Sequence, residues 1–170
     1  DVCSSDLKKN KLADEYASYD IALTHLKKET GIVYFHLNKG DLKETTISIK
    51  DKIGIQHTLP IDKYQFYIQK KGTPFYPGLQ EMINAGKIDS AKAVIDELIS
   101  FLFARCEKKI TDGDSGIWRN FAFHEGHPFQ IDIGQFSYKK TLTSQEHYEQ
   151  DLLFFTREFK DWLDKTSPEL

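Results

Sequence analysis

The sequence predicts an α+β domain. Three observations carry that prediction: an opening segment with helical apolar spacing, a middle run of short β-branched and aromatic segments broken by turn residues, and a return to helical spacing after Gly72-Thr-Pro74. In the opening segment, Leu12, Tyr16, Tyr19, Leu23 and Leu26 step by 4, 3, 4 and 3 residues. That is one face of a helix of about 20 residues ending near Glu29-Thr-Gly31. Ile32–Leu37, Thr45–Ile49, Ile53–His57 and Tyr64–Ile68 read as three or four antiparallel strands, with Asn38–Asp41 and Leu59–Asp62 as turns. Tyr76–Ala85 suits a short helix closed by Gly86, and Asp89 or Ser90 suits the cap of the next. That next helix carries Val94, Ile95, Leu98, Ile99, Phe101, Leu102 and Phe103, a stripe wide enough to predict burial on most sides. Phe121–Phe123 and Pro128–Ile131 flank His124-Glu-Gly-His127 as a hairpin, and Tyr148, Leu152, Phe155, Phe159 and Trp162 mark one face of a last helix.

Asp1-Val-Cys-Ser-Ser-Asp-Leu7 is what one reading frame of a common sequencing-adapter end encodes, and no initiator Met precedes it. Residues 1–7 therefore read as a non-biological scar, with coding sequence lost upstream; the rival reading is a short disordered native tail. Among all 170 residues there are 23 basic and 26 acidic side chains, and setting aside Asp1 and Asp6 leaves 23 against 24, a net charge of −1. That balance offers no electrostatic case for nucleic acid or an acidic membrane. Aromatic content of 13% marks a globular chain. Outside residues 1–7 only Cys106 remains, so no internal disulfide is expected and a reducing, cytoplasmic compartment fits. No run reaches the roughly 18 apolar residues of a membrane span.

The chemistry-bearing stretch runs from Asp112-Gly-Asp114 through Asn120 to Asp132-Ile-Gly134. A carboxylate, then an amide, then a second carboxylate around a hairpin are the residue types phosphoryl transfer uses: a carboxylate orients the attacking hydroxyl, and two oxygen donors hold magnesium. Asp132 lies between Ile131 and Ile133, where an unpartnered carboxylate is costly, so a metal or cation partner is expected. Gly134 is expected to permit the tight turn that follows.

This arrangement resembles the catalytic and metal-binding loops of the protein-kinase-like superfamily, including its aminoglycoside-phosphotransferase-like and distant bacterial branches. The resemblance covers Gln69 to about Trp162. It implies a kinase-like α+β fold: a partial N-lobe over residues 8–71, helix plus small antiparallel sheet, and a mostly helical C-lobe over 72–170. It implies ATP and magnesium as cofactors, with Asn120 and Asp132 as metal ligands; their separation of 12 is near the family's, about 13. Asp114, in a segment similar to His-Gly-Asp, is implied as the carboxylate that orients the acceptor hydroxyl, with Asp112 as the fallback. Asp114 stands six residues before Asn120, where the family has about five. Tyr64–Lys71, with Gln69, would form the hinge that meets adenine through its backbone. Glu15 would be the helix glutamate that pairs the nucleotide lysine, for which Lys39 is the one candidate; a hairpin-turn lysine is its plainer reading. No GxGxxG or GxxxxGK[ST] phosphate loop occurs. The implied function is phosphoryl transfer from ATP to an unknown hydroxyl-bearing acceptor, inactive as this fragment; the alternative is a pseudokinase-type binding or scaffold module. About 36 residues follow Gly134, which favours a compact bacterial-type kinase over a regulated protein kinase.

Other motifs carry less. Asp112-x-Asp114-x-Gly116 has Ile117 and Phe123 where a calcium loop needs Gly and Glu. His124 and His127 have a spacing suited to a turn and not to a zinc helix. Cys106 reads as an inert core residue. Arg119 suits either phosphate contact or a salt bridge to an acidic neighbour.

Overall fold

The computed structural model describes residues 2–37, 42 and 44–168, and side chains from residue 11 onward. The architecture is α+β, and the chain divides into two compact units: Asp1–Gly31 with Lys71–Leu170, and Ile32–Lys70.

The smaller unit holds four strands. β1 (Ile32–His36) pairs antiparallel with β4 (Phe66–Gln69), and β2 (Thr46–Lys50) pairs with β3 (Gln56–Pro60), as two separate two-stranded ladders. The third strand therefore starts later than the expected Ile53, and Leu59-Pro60 is strand, not turn. The reason is Asp51, whose Oδ1 accepts from the backbone N–H groups of Ile53 and Ile55 at 3.0 and 2.9 Å, while Gly54 takes φ +91°. This side-chain turn uses up the residues assigned to the strand. Lys39 lies outside the described residues.

The larger unit opens with α1 (Val2–His25). Its buried face is Ser18, Ile21 and Ala22, continued by Leu26 just past its end, whereas Leu12 is exposed and Tyr16, Tyr19 and Leu23 are half-buried. The expected apolar face is thus rotated off the contact. The cause is the partner: α1 packs on β9 (Phe136–Tyr138) and on the segment before it, where Ser18 donates to the Ile133 carbonyl and accepts from the Phe136 N–H at 2.7 Å. Backbone approached this closely selects small and hydroxyl side chains. These contacts also group α1 with the larger unit and not with the strands it was expected to join over residues 8–71.

β5 (Thr73–Pro74) leads into α2 (Phe75–Asn84), which Gly86 closes at φ +69° as Lys87 N–H reaches back to the Met82 carbonyl at 2.9 Å. α3 (Ile88–Glu107) follows, with Lys87 at the cap position in place of Asp89 or Ser90. Ile99 and Phe103 remain partly exposed, so α3 is buried on one broad face only. β6 (Ile110–Asp112), a single turn of helix α4 (Ile117–Asn120), β7 (Phe121–His124) and β8 (His127–Gln130) come next. Glu125 and Gly126 join β7 to β8 with φ of 53° and 86°, the two-residue turn that matches strand twist. α5 (Gln145–Thr166) is capped by the Ser144 side chain. An aromatic core joins α2, α3, β7 and α5: Phe75 stacks on Phe123 at 4.5 Å and meets Phe121 and Phe159 edge-on. No helix among the described residues is long and apolar enough to cross a membrane.

Candidate functional site

Two antiparallel ladders set the site. β6 pairs with β9, Asp112 opposite Phe136, and Gly113 N–H extends the pair to the Gln135 carbonyl at 3.0 Å. β7 pairs with β8, Phe121 opposite Gln130, and Ile131 N–H extends that pair to the Asn120 carbonyl at 2.7 Å. The loop 113–120 and the segment 131–135 are thereby held together at both ends. Asn120 lies opposite Ile131, one residue from Asp132.

Asp112 faces inward. Its Oδ1 accepts from Asp114 N–H at 2.9 Å, its Oδ2 accepts from Gln130 Nε2, and Arg105 Nη1 stands 3.9 Å away. Burial pushes its pKa above the usual carboxylate range, with the Asp114 N–H bond and Arg105 opposing. As the fallback for the acceptor-orienting carboxylate, Asp112 is thus a buried residue with both oxygens engaged by the fold.

Asp114 is only partly buried. Arg119 Nη2 reaches its two oxygens at 2.7 and 2.9 Å, Arg119 Nε reaches Oδ2 at 3.2 Å, and Gly116 N–H donates to Oδ1 at 3.0 Å. The Arg119 guanidinium holds this carboxyl below the ordinary range. Of the two readings of Arg119, the salt bridge is the one formed. Asn120, 2% exposed, donates from Nδ2 to the Asp114 carbonyl at 3.2 Å, which leaves its amide oxygen as the acceptor end.

Asp132 is exposed, and its Oδ1 accepts from Gly134 N–H at 3.1 Å. The expected burial cost between Ile131 and Ile133 is absent, because residues 131–133 lie outside the strand and only Ile133 is fully buried. Nor does Gly134 have the positive φ that would require glycine; a Cβ there meets only Asp132 Oδ1, at 3.6 Å.

Glu15 is half-buried on α1, and its charge and that of Asp132 both raise the Tyr19 phenol pKa, after the larger effect of burial. A cavity of about 1010 Å³ is lined by Lys11, Asp14, Glu15, Tyr19, Asp132 and Tyr138, among others. Asp114 and Asn120 therefore lie on a loop whose ends are bonded to the segment that carries Asp132, and Glu15 lines a cavity with Asp132. Gln69 belongs to the smaller unit, where it pairs with Ile32. His127 contacts Glu97 at 2.8 Å and His124 the Lys71 carbonyl at 3.1 Å.

Sequence reading passes over Ser18, Lys11, Arg105 and Gln130. Arg105, 1% exposed, bonds Gln130 Oε1 at 3.3 Å and lies 4.2 Å from the Phe155 ring centroid. Nearby, Asp151 accepts from Lys139 at 2.7 Å and lies beside the Cys106 thiol, which burial pushes up to about 11. Arg105 does leave a trace: it continues the Leu98–Leu102 steps of the buried stripe, where a charge demands a partner.

An amide oxygen and a carboxylate on adjacent chain segments are hard oxygen donors, the kind magnesium takes while keeping phosphate and water oxygens as its other ligands. Among the described residues no group of three or more His, Cys, Asp or Glu could hold a metal ion by itself. Comparison with protein-family models, curated proteins and solved structures returned no significant match.

Proposed function

We propose that this chain is part of a kinase-like phosphotransferase domain that uses ATP and magnesium to phosphorylate a hydroxyl-bearing acceptor. The observation that supports the reading is the hairpin register: the Ile131 N–H to Asn120 carbonyl bond sets the Asn120 backbone against the residue before Asp132, while the Asn120 amide is tied to the Asp114 backbone. One candidate carboxylate and two candidate metal ligands thus lie on a loop and a hairpin tied to each other by backbone bonds, with the Asn120 side chain buried and that of Asp132 exposed. In this reading Asn120 Oδ1 and the Asp132 carboxylate would hold magnesium, which when bound would neutralise phosphate charge. Asp114 would orient the acceptor. The acceptor oxygen forms a bond to the γ-phosphorus, the bond from that phosphorus to the β–γ bridging oxygen breaks, ADP leaves, and the acceptor proton passes to Asp114.

The grip of Arg119 on Asp114 favours a second reading, a binding module of the same fold without catalysis. Thermal-shift titration with ATP and magnesium tests the first. Magnesium-dependent stabilisation is expected in the wild type and its loss in Asn120→Ala and Asp132→Asn. A wild type indifferent to ATP and magnesium sinks the nucleotide reading; nucleotide binding with no phosphate transferred to any acceptor or water leaves the second.

A further inference from the structure

Asp114 cannot take a proton from an acceptor while a guanidinium covers it. Both of its oxygens are engaged by Arg119 and one also by the Gly116 N–H. One of the two partners must move, and their settings differ: the Arg119 side chain is 52% exposed, that of Asp114 only 13%. Asp114 is held from the loop, by its own carboxylate on Gly116 and by its carbonyl on Asn120. Arg119 is the partner with open space to move into, because its own side chain is solvent-exposed.

What Arg119 exchanges onto follows from its chemistry. A planar guanidinium fork matches the paired oxygens of a carboxylate or phosphate, as it does here on Asp114. Its carbon lies 5.5 Å from the centroid of the half-exposed Trp118 ring, a surface on which the cation can rest between partners. The charges of Asp132 and Glu158 also bear on it, so it stands within electrostatic reach of the proposed metal carboxylate.

We propose that the acceptor is an anionic hydroxyl compound, carrying a carboxylate or phosphate group, and that Arg119 turns from Asp114 to that group and so frees the Asp114 carboxylate. The proposal rests on the phosphotransferase reading for its meaning but not for its test.

The test is side-chain NMR of the full chain at pH 6.5, following the Arg119 Nε–Hε signal and the Asp114 carboxyl carbon. Sodium phosphate and sodium acetate are titrated separately against sodium chloride at matched ionic strength. One of the two anions is expected to move both signals saturably, where chloride does not. A response to phosphate assigns a phosphate-bearing acceptor, and a response to acetate a carboxylate-bearing one. Arg119→Gln is expected to shift the Asp114 signal to its released position without any anion and to remove the anion response; Arg119→Lys, charged but unforked, is expected to weaken that response at least tenfold. Signals unmoved by both anions, or a response that survives Arg119→Gln, overturn the proposal. An anion response in a wild type that ATP and magnesium do not stabilise, or magnesium-dependent ATP stabilisation with no anion response, makes failure of the nucleotide reading and failure of the anion switch separate results.

Discussion

The hydroxyl of Ser18 bridges α1 and the Asp132 turn, accepting from Phe136 N–H and donating to the Ile133 carbonyl across 115 residues of sequence. Removing it leaves a buried amide without its partner, which costs about 1–3 kcal/mol. Ser18→Ala should therefore lower the urea-unfolding free energy by that amount, whereas Ser18→Thr should recover part of it. Asp112 and Asp114 show how two carboxyl groups two residues apart diverge: burial raises the first, and Arg119 lowers the second. A folded-state pKa held below the unfolded value of about 4 adds stability above that value, and the gain is lost as pH falls through the lowered pKa. Asp112 acts in the opposite sense, its charge a burden relieved on protonation. Asp114→Asn should thus cost stability at pH 7 and little at pH 2, with a shallower acid limb in urea unfolding measured from pH 6 downwards.

At the scale of elements, the β7–β8 hairpin positions both the site and the core. Its Phe123 stacks on Phe75, its Phe121 reaches Phe101 edge-on at 5.4 Å, and its ladder runs directly into Asn120 and Ile131. The backbone of residue 72 lies against it so closely that a Cβ on Gly72 would meet the Phe123 carbonyl oxygen at 2.5 Å and the Phe129 ring at 2.6 Å. Backbone cannot yield as a flexible side chain can, and overpacking of this kind costs about 1–3 kcal/mol. Gly72→Ala should show that loss in thermal unfolding and perturb the Phe123 and Phe129 ring signals first. The buried Arg105 works between elements too. It links α3 to β8 through Gln130, and Gln130 passes the contact to Asp112 and so to the Asp114 N–H. A charge placed in an apolar interior persists only with such partners.

Across the whole molecule, burial is uneven. The larger unit has the aromatic core, while every residue of β2 is exposed and β3 is at most half-buried. Local opening follows buried contact, so amide hydrogen exchange should be fastest in β2 and β3 and slowest in the buried stretch of α3 around Leu98 and Leu102. Equal protection in the two units would contradict this ordering. What could be read from the sequence followed the same divide. Helical and strand periodicity placed α2, α3 and the β7–β8 hairpin within a residue or two and marked the inner face of α5, since spacing along one element is local information. The buried face of α1 was misread because its partner is polar backbone, which leaves no apolar period to detect. The short β6 and β9 gave no period at all, being three residues each. By itself, then, the sequence determined the α+β class and most elements. Only the tertiary structure decided that Asp132 is exposed, that Asp112 shares the interior with Arg105 and Gln130, and that Arg119 grips Asp114. Exposure, burial and pairing depend on which distant segments meet, and no local pattern records that.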